Sequence, residues 1–252
     1  MIKVQINPKY EHLRSFIEQI ATVFEQMGRE IYHGRNVIRV IAAPDGTEVN
    51  VKRFHQPRSV NRFVYSWNIR RPKGRRAYAY TFLLNDKGIH TPEAIALIED
   101  RGALGLLGYS YLVTQQSTCP YTLKVLKEDA PADMYEPLAK SLARFAFNIH
   151  TNDIMHKDFT PGNILWEKTD EGYRFELVDI NRMYFGPVSL HKGLANLTRL
   201  WGPKRFIELL VREYATLRHA DPDTSVAYAL KVRSAFWHQY AKKHRMPFRI
   251  EY

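Results

Sequence analysis

The sequence predicts an α+β chain of two lobes, a small antiparallel-sheet lobe followed by a mainly helical one. Three observations predict it. Short apolar runs separated by turn residues fill positions 31–54 and 95–116. Met134, Leu138, Leu142, Phe145, Ala146 and Ile149 recur at helical spacing in the second half. Between these regions Ser117-Thr118-Cys119-Pro120 reads as a linker. The expected division is a helical segment over 1–30, a sheet lobe over 31–116 and a helical lobe over 117–252.

Each element has its own reason. Leu13, Phe16, Ile17, Ile20, Phe24 and Met27 make residues 9–28 an amphipathic packing helix, and Gly28 ends it. Val37 to Ile41 is a strand, Pro44-Asp45-Gly46 a turn, and Thr47 to Phe54 the returning strand. On that strand Asn50 and Lys52 point opposite to Val49 and Val51, so Lys52 is either a solvated lysine or a phosphate ligand. The turn His33-Gly34-Arg35 is placed to cover phosphates with backbone N–H groups, though one glycine is a thin signal. Ala77 to Lys87 reads as a helix closed by Gly88, and residues 95–116 as two strands. Asp133 with Glu136 three residues later reads as a capping box for the helix up to His150. After Asp179 the chain reads as irregular to about Leu194. Helices then start at Pro203 and Pro222, each with Pro at the first helical position.

The composition narrows the partners. The chain has 252 residues, 45% of them hydrophobic, enough for a sizeable core. Its 37 basic and 26 acidic residues give a net charge of +11, which favours polyanionic partners. No acidic residue falls between Val49 and Asn85. That stretch holds Lys52, Arg53, Arg58, Arg62, Arg70, Arg71, Lys73, Arg75 and Arg76 with Phe54, Phe63, Tyr65 and Trp67 interleaved. Such a run suits an anionic lipid head group, a phosphorylated sugar or nucleic-acid phosphates better than a merely solvated loop. The tail is basic too, with Lys242, Lys243, His244, Arg245 and Arg249. The single cysteine, Cys119, excludes an internal disulfide and a cysteine-cluster metal site, and no neighbour marks it as a nucleophile. The amino terminus has no long apolar core, and the uncharged stretch 102–123 is broken by Gly, Ser, Gln, Thr and Pro. Neither a signal peptide nor a membrane span is expected, and a cytoplasmic location follows.

The stretch His156-Lys157-Asp158-Phe159-Thr160-Pro161-Gly162-Asn163-Ile164-Leu165 carries the chemistry. An acid lies two residues after a histidine, and an amide five residues after the acid. A strand-like run, Phe175 to Asp179, ends in a second acid. Phosphoryl transfer needs positioning and charge neutralisation more than covalent chemistry. Asp158 would orient the acceptor hydroxyl and take its proton. Asn163 and Asp179 would hold Mg2+ on the phosphates of ATP, and Lys52 would hold the phosphates as a point charge. His156 would fix the loop backbone. The spacing alone is weak, but the order of lysine strand, linker, helix, loop and acid matches the kinase signature set.

At these residues the chain resembles the bacterial lipopolysaccharide kinases, the Kdo-kinase and heptose-kinase group with its InaA-like relatives. Met155 to Leu165 looks like the group's catalytic loop, and Leu177-Val178-Asp179-Ile180-Asn181-Arg182 like its metal-binding segment. Gly88-Ile89-His90-Thr91-Pro92 looks like its link after the first-lobe helix. The resemblance spans roughly residues 31–200 and implies a bilobal protein-kinase-like fold. It implies Asp158 as catalytic base, Asn163 and Asp179 as metal ligands and Lys52 as the ATP lysine. It also implies transfer from ATP to a sugar hydroxyl of the lipopolysaccharide core, an anionic glycolipid acceptor, and peripheral contact with the inner membrane from its cytoplasmic face. Two departures stand out. Residues 75–84 hold no acid to pair with Lys52, and Ile180-Asn181 replaces the Phe-Gly of protein kinases. The first leaves a nucleotide-binding pseudokinase as an alternative. An atypical protein kinase is another, although the missing Ala-Pro-Glu platform favours a small or glycan acceptor. A nucleic-acid partner is not expected, since the loop would have no role in it.

Overall fold

The structure is a computed structural model and describes residues 1–57, 60–67, 69–127, 132–246 and 250–251. Arg58 and Arg249 of the basic runs lie outside the described residues. The chain forms two compact units, Met1–Thr118 and Cys119–Tyr252.

The first unit is built on a six-stranded antiparallel sheet. Its first strand corrects the expected helical segment over 1–30: β1 (Ile2–Ile6) pairs with β5 (Ala94–Arg101) at the sheet edge. Its partner lies far along the chain, so five residues of edge strand leave little local signal. A 3-10 stretch (Pro8–Leu13), α1 (Arg14–Val23) and a further 3-10 turn (Phe24–Gln26) share the expected amphipathic helix. Leu13, Ile17, Ile20 and Phe24 from these segments pack with Val49, Val51, Ile98 and Val113 of the sheet. Gly28 then turns at φ +60 against Val40, where a Cβ would sit 2.1 Å from the Val40 carbonyl oxygen. The chain continues through β2 (Arg29–His33), β3 (Val37–Ala42) and β4 (Glu48–Phe54), and β6 (Leu107–Gln115) completes the order β1-β5-β6-β4-β3-β2. In the acid-free run the structure has a short helix, α2 (Val60–Ser66), that periodicity did not reveal. The next helix, α3 (Lys73–Asp86), starts a turn earlier than its apolar pattern. Its Gly74 lies so close to the sheet that a Cβ would meet Leu97 Cδ1 at 2.9 Å.

The second unit carries a short strand, β7 (Tyr121–Thr122), and the long helix α4 (Ala132–Thr151). The expected capping box does not describe this helix. Asp133 lies inside its first turn, and Glu136 reaches forward to Lys140 Nζ at 2.6 Å, an i,i+4 pair. Beyond it, β8 (Ile154–His156), β9 (Ile164–Thr169) and β10 (Gly172–Leu177) frame the loop at 156–163. The segment after Asp179 is less irregular than expected. Within it, β11 (Met183–Phe185) pairs with β8, and α5 (Leu190–Leu197) begins where the Ser189 hydroxyl accepts from Lys192 N. The β11–β8 ladder is three residues long, below the length at which strand periodicity shows. Two helices close the chain, α6 (Lys204–Leu217) and α7 (Pro222–Ala241). Pro203 is the cap residue of α6, one place before the expected position. Pro222 is the first residue of α7, and Asp221 caps it through Thr224 N at 2.8 Å. Among the described residues, no helix is long and apolar enough to cross a membrane.

Candidate active site

The loop at 156–163 is held by hydrogen bonds from within the second unit. His156 is fully buried between β8 and the loop. Its Nδ1 accepts from Asp158 N at 3.0 Å and its Nε2 donates to Val178 O at 3.2 Å, so the ring is the neutral Nε2–H tautomer. Burial, above all, pushes its pKa down and keeps it uncharged. His156 thus ties Asp158 to the residue before Asp179. Two further bonds tighten the turn: Asn163 Nδ2 donates to Asp158 O at 3.0 Å, and Val178 N donates to Asn163 O at 3.0 Å.

A buried polar chain supports the loop from behind. Arg218 Nη1 donates to the Tyr214 hydroxyl at 2.9 Å, and that hydroxyl donates to His150 Nδ1 at 2.8 Å. His150 Nε2 donates to Asn196 Oδ1 at 3.2 Å, and Asn196 Nδ2 donates to His156 O at 3.0 Å. Burial pushes the His150 pKa down to about 4, so the ring serves this chain as a neutral donor and acceptor. Gly193 makes room for it, since a Cβ there would stand 2.1 Å from the Tyr214 hydroxyl.

Asp158 and Asp179 lie at the two ends of this frame. The Asp158 carboxylate meets Arg182 Nη1 at 3.0 Å and Arg199 Nη1 at 3.8 Å. Arg199 Nη1 also donates to Lys157 O at 2.7 Å, which fixes the guanidinium beside the loop. Sequence reasoning missed both arginines. Arg182 stood within the quoted metal-binding segment without a role, and nothing local marks Arg199, whose place comes from the turn after α5. Asp179 takes a left-handed backbone at φ +57, a costly conformation that turns its carboxylate out of the β10 line. Asn181 Nδ2 donates to Asp179 Oδ1 at 2.5 Å. Its own Oδ1 is buried with no hydrogen-bond partner among the described residues.

These residues fit a magnesium ion. Mg2+ is usually held by one or two carboxylates together with substrate phosphates and water. Asn163 gives its amide N–H to the loop, which leaves Oδ1 as the acceptor a cation would take, and Asp179 supplies a carboxylate. The orphaned Asn181 Oδ1 is the kind of buried acceptor that a bound ion or its water would satisfy. Among the described residues, no group of three or more His, Cys, Asp or Glu forms a metal cage of its own.

Lys52 and Gly34 belong to the first unit. Lys52 lies on β4 opposite Leu112, in the row that continues to Leu97, on the sheet face that α3 covers. Its Nζ lies 5.4 Å from the centre of the Phe54 ring. Gly34 sits in the β2–β3 turn beneath the Tyr32 hydroxyl. Nearby, a cavity of about 370 Å³ is lined by Arg35, His55, Tyr65 and Lys73. Residues 75–84 of α3 hold no acid, but the sheet supplies one to this helix. Arg75 of α3 makes a two-pronged bond to Glu99 of β5, at 2.7 Å through each nitrogen, and Arg101 adds a contact of 2.8 Å. Burial pushes the Glu99 carboxyl up, but the bonds from Arg75 and then Arg101 outweigh it and hold it below the usual carboxylate range. Cys119 is buried.

A sheet-bearing unit, a helical unit and a loop–hairpin–aspartate frame define a phosphotransferase of protein-kinase-like fold. Residues 30–200 match the lipopolysaccharide kinase (Kdo/WaaP) family, and the chain belongs to it. It is therefore a kinase, transferring phosphate to an alcohol group, and its family acts in phosphorylation of the lipopolysaccharide core. Among solved structures, its fold is similar to that of WaaP in complex with acyl carrier protein. The TM-score is 0.59 at 16% identity, over 93% of this chain and 99% of that one. The Rio2 kinase–ADP/Mg2+-phosphoaspartate complex from Chaetomium thermophilum aligns with a TM-score of 0.49 at 13% identity, over 96% of this chain and 82% of that one. Comparison with curated proteins gave no match.

Proposed function

We propose that this kinase transfers the γ-phosphate of ATP to a sugar hydroxyl of the lipopolysaccharide inner core, on Kdo or heptose. One observation carries the choice of acceptor: the Asp158 carboxylate shares its site with the guanidinium groups of Arg182 and Arg199. Two cations beside the base suit a sugar that bears a carboxylate or phosphate near the reacting hydroxyl. In this reading the acceptor's anion draws the arginines from Asp158. A carboxylate oxygen then becomes available to the hydroxyl proton as the oxygen attacks the γ-phosphorus. His156 keeps its single proton throughout and holds the loop. Asn163 and Asp179 would hold Mg2+, which when bound neutralises charge on the phosphates. Lys52 would contact the phosphates from the sheet unit, with the Gly34 turn over them. Because the acceptor is a glycolipid and the donor is ATP, the reaction belongs at the cytoplasmic face of the inner membrane.

The test is transfer from labelled ATP with Mg2+ to Kdo–lipid A, to a heptosylated acceptor, and to a neutral hexosyl lipid. Label is expected on an anionic acceptor. Label on peptide serine or tyrosine with none on any core sugar would overturn the proposal. Arg182→Gln should raise the acceptor KM about 10-fold or more, the cost of a lost charged hydrogen bond, while leaving the KM for ATP unchanged.

A further inference from the structure

Helix α2 and the neighbouring loop present an apolar surface that folding does not explain. Phe63 is 46% exposed, Trp67 67%, Ile69 73% and Leu104 92%. Leu104 also takes a left-handed backbone at φ +58, an unfavourable conformation for a leucine, and its side chain gains no burial in return. The rings of Phe63 and Trp67 lie 5.5 Å apart.

The surface is firmly mounted. Leu107 N donates to Ser66 Oγ at 2.8 Å, and Arg62 Nε donates to Leu107 O at 3.1 Å, so α2 is tied to the end of the loop. Arg101, anchored on buried Glu99, donates to Gly105 O at 2.9 Å and Ser66 O at 3.4 Å. The surroundings are cationic. Arg70 and Arg71 are exposed next to Ile69, and no acidic residue occurs from Val49 to Asn85.

We infer that Phe63, Trp67, Ile69 and Leu104, with Arg70 and Arg71, form a docking surface for an anionic lipid bilayer. The chemistry selects this occupant. Tryptophan favours the level of lipid head groups, aliphatic side chains enter the acyl boundary, and arginines meet lipid phosphates. Single-stranded nucleic acid would use the aromatic rings and arginines, but Leu104 and Ile69 offer no stacking face to a base. The inference rests on the proposed function only for its purpose, which is to bring the enzyme to a membrane-held acceptor. The surface itself belongs to the first unit.

The test uses the full chain and vesicles that contain no glycolipid acceptor. Phosphatidylethanolamine–phosphatidylglycerol vesicles should bind it in a flotation assay, and phosphatidylcholine vesicles should not. Trp67→Ser with Leu104→Ser should weaken binding at least about 10-fold. Arg70→Gln with Arg71→Gln should weaken it about 30-fold at low salt and less at high salt. Both double variants should keep wild-type turnover on a soluble, deacylated acceptor. Brominated lipid should quench tryptophan emission in the wild type, and Trp67→Phe should remove that quenching. Equal binding to both vesicle types, unchanged binding by the double variants, or binding to single-stranded RNA without vesicle binding would overturn the inference. Vesicle binding without turnover on any core sugar would overturn the proposed function and leave this surface standing.

Discussion

The loop at 156–163 in the second unit and helix α3 in the first are held in place in different ways. Behind the loop, a largely buried hydrogen-bond chain runs from Arg218 through Tyr214 and the neutral groups of His150 and Asn196 to His156, and then to Asp158 and Val178. On the sheet, α3 is fixed by charge. A protein-kinase helix brings a glutamate to the strand lysine, whereas here the helix brings Arg75 to Glu99 on β5, with β6 lying between β5 and the lysine strand. An ion pair thus joins helix and sheet with the cation on the helix and the anion on the sheet. Lys52 lies two cross-strand rows from Glu99, on the same sheet face.

This contrast can be broken at several points. The largest effect is expected at Asp179, where Asp179→Asn should lower turnover by about 1,000-fold or more, through loss of the carboxylate proposed to hold Mg2+. Steady-state transfer from labelled ATP measures it. The charge-based clamp comes next. Glu99→Gln leaves buried Arg101 without its counter-ion and should cost about 3 kcal/mol in urea unfolding, the magnitude typical of a broken buried pair. The neutral network predicts a pH dependence instead. His150 has a pKa of about 4 in the fold against an ordinary 6.5, so the unfolded chain takes up a proton that the folded one refuses. Stability should therefore fall as pH drops from about 6.5 to about 4, by about 3 kcal/mol, with buried His156 acting in the same direction. A pH series of unfolding midpoints reads this, and His150→Gln should flatten it. The smallest effect is expected at Lys52. Lys52→Ala should raise the KM for ATP about 10-fold, while Arg75, bonded to Glu99, still ties α3 to the sheet. A large loss of stability in that variant would make Lys52 part of the helix anchor after all.

What the sequence disclosed follows from how local each feature is. The loop from His156 to Asn163 and the strand ending at Asp179 are contiguous, and their spacing was readable. The lobe order, the strand carrying Lys52 and the two terminal helices were readable for the same reason, each having its own period or its own Pro and Gly signals. Hidden features depend on distant pairing. β1 needs β5, β11 needs β8, and Arg199 reaches Asp158 across forty-one positions of chain. Glu99 was hidden for another reason. In an apolar strand an acid reads as a flaw until its two arginines are seen around it. The absence of an acid over residues 75–84 was read correctly from the sequence. That its place was taken by an arginine on the helix and a glutamate on the sheet required the fold.

The most direct test of the account is Asp158→Asn, measured for phosphate transfer to an anionic core sugar alongside Mg-ATP binding and thermal melting. Asp158 is the group toward which the loop, His156, Arg182 and Arg199 all converge. The account predicts turnover reduced by at least about 100-fold, the usual contribution of a positioned base, with nucleotide binding and melting temperature retained. Turnover above about a tenth of the wild-type rate, which would leave less than about 1.4 kcal/mol for this carboxylate, would contradict it.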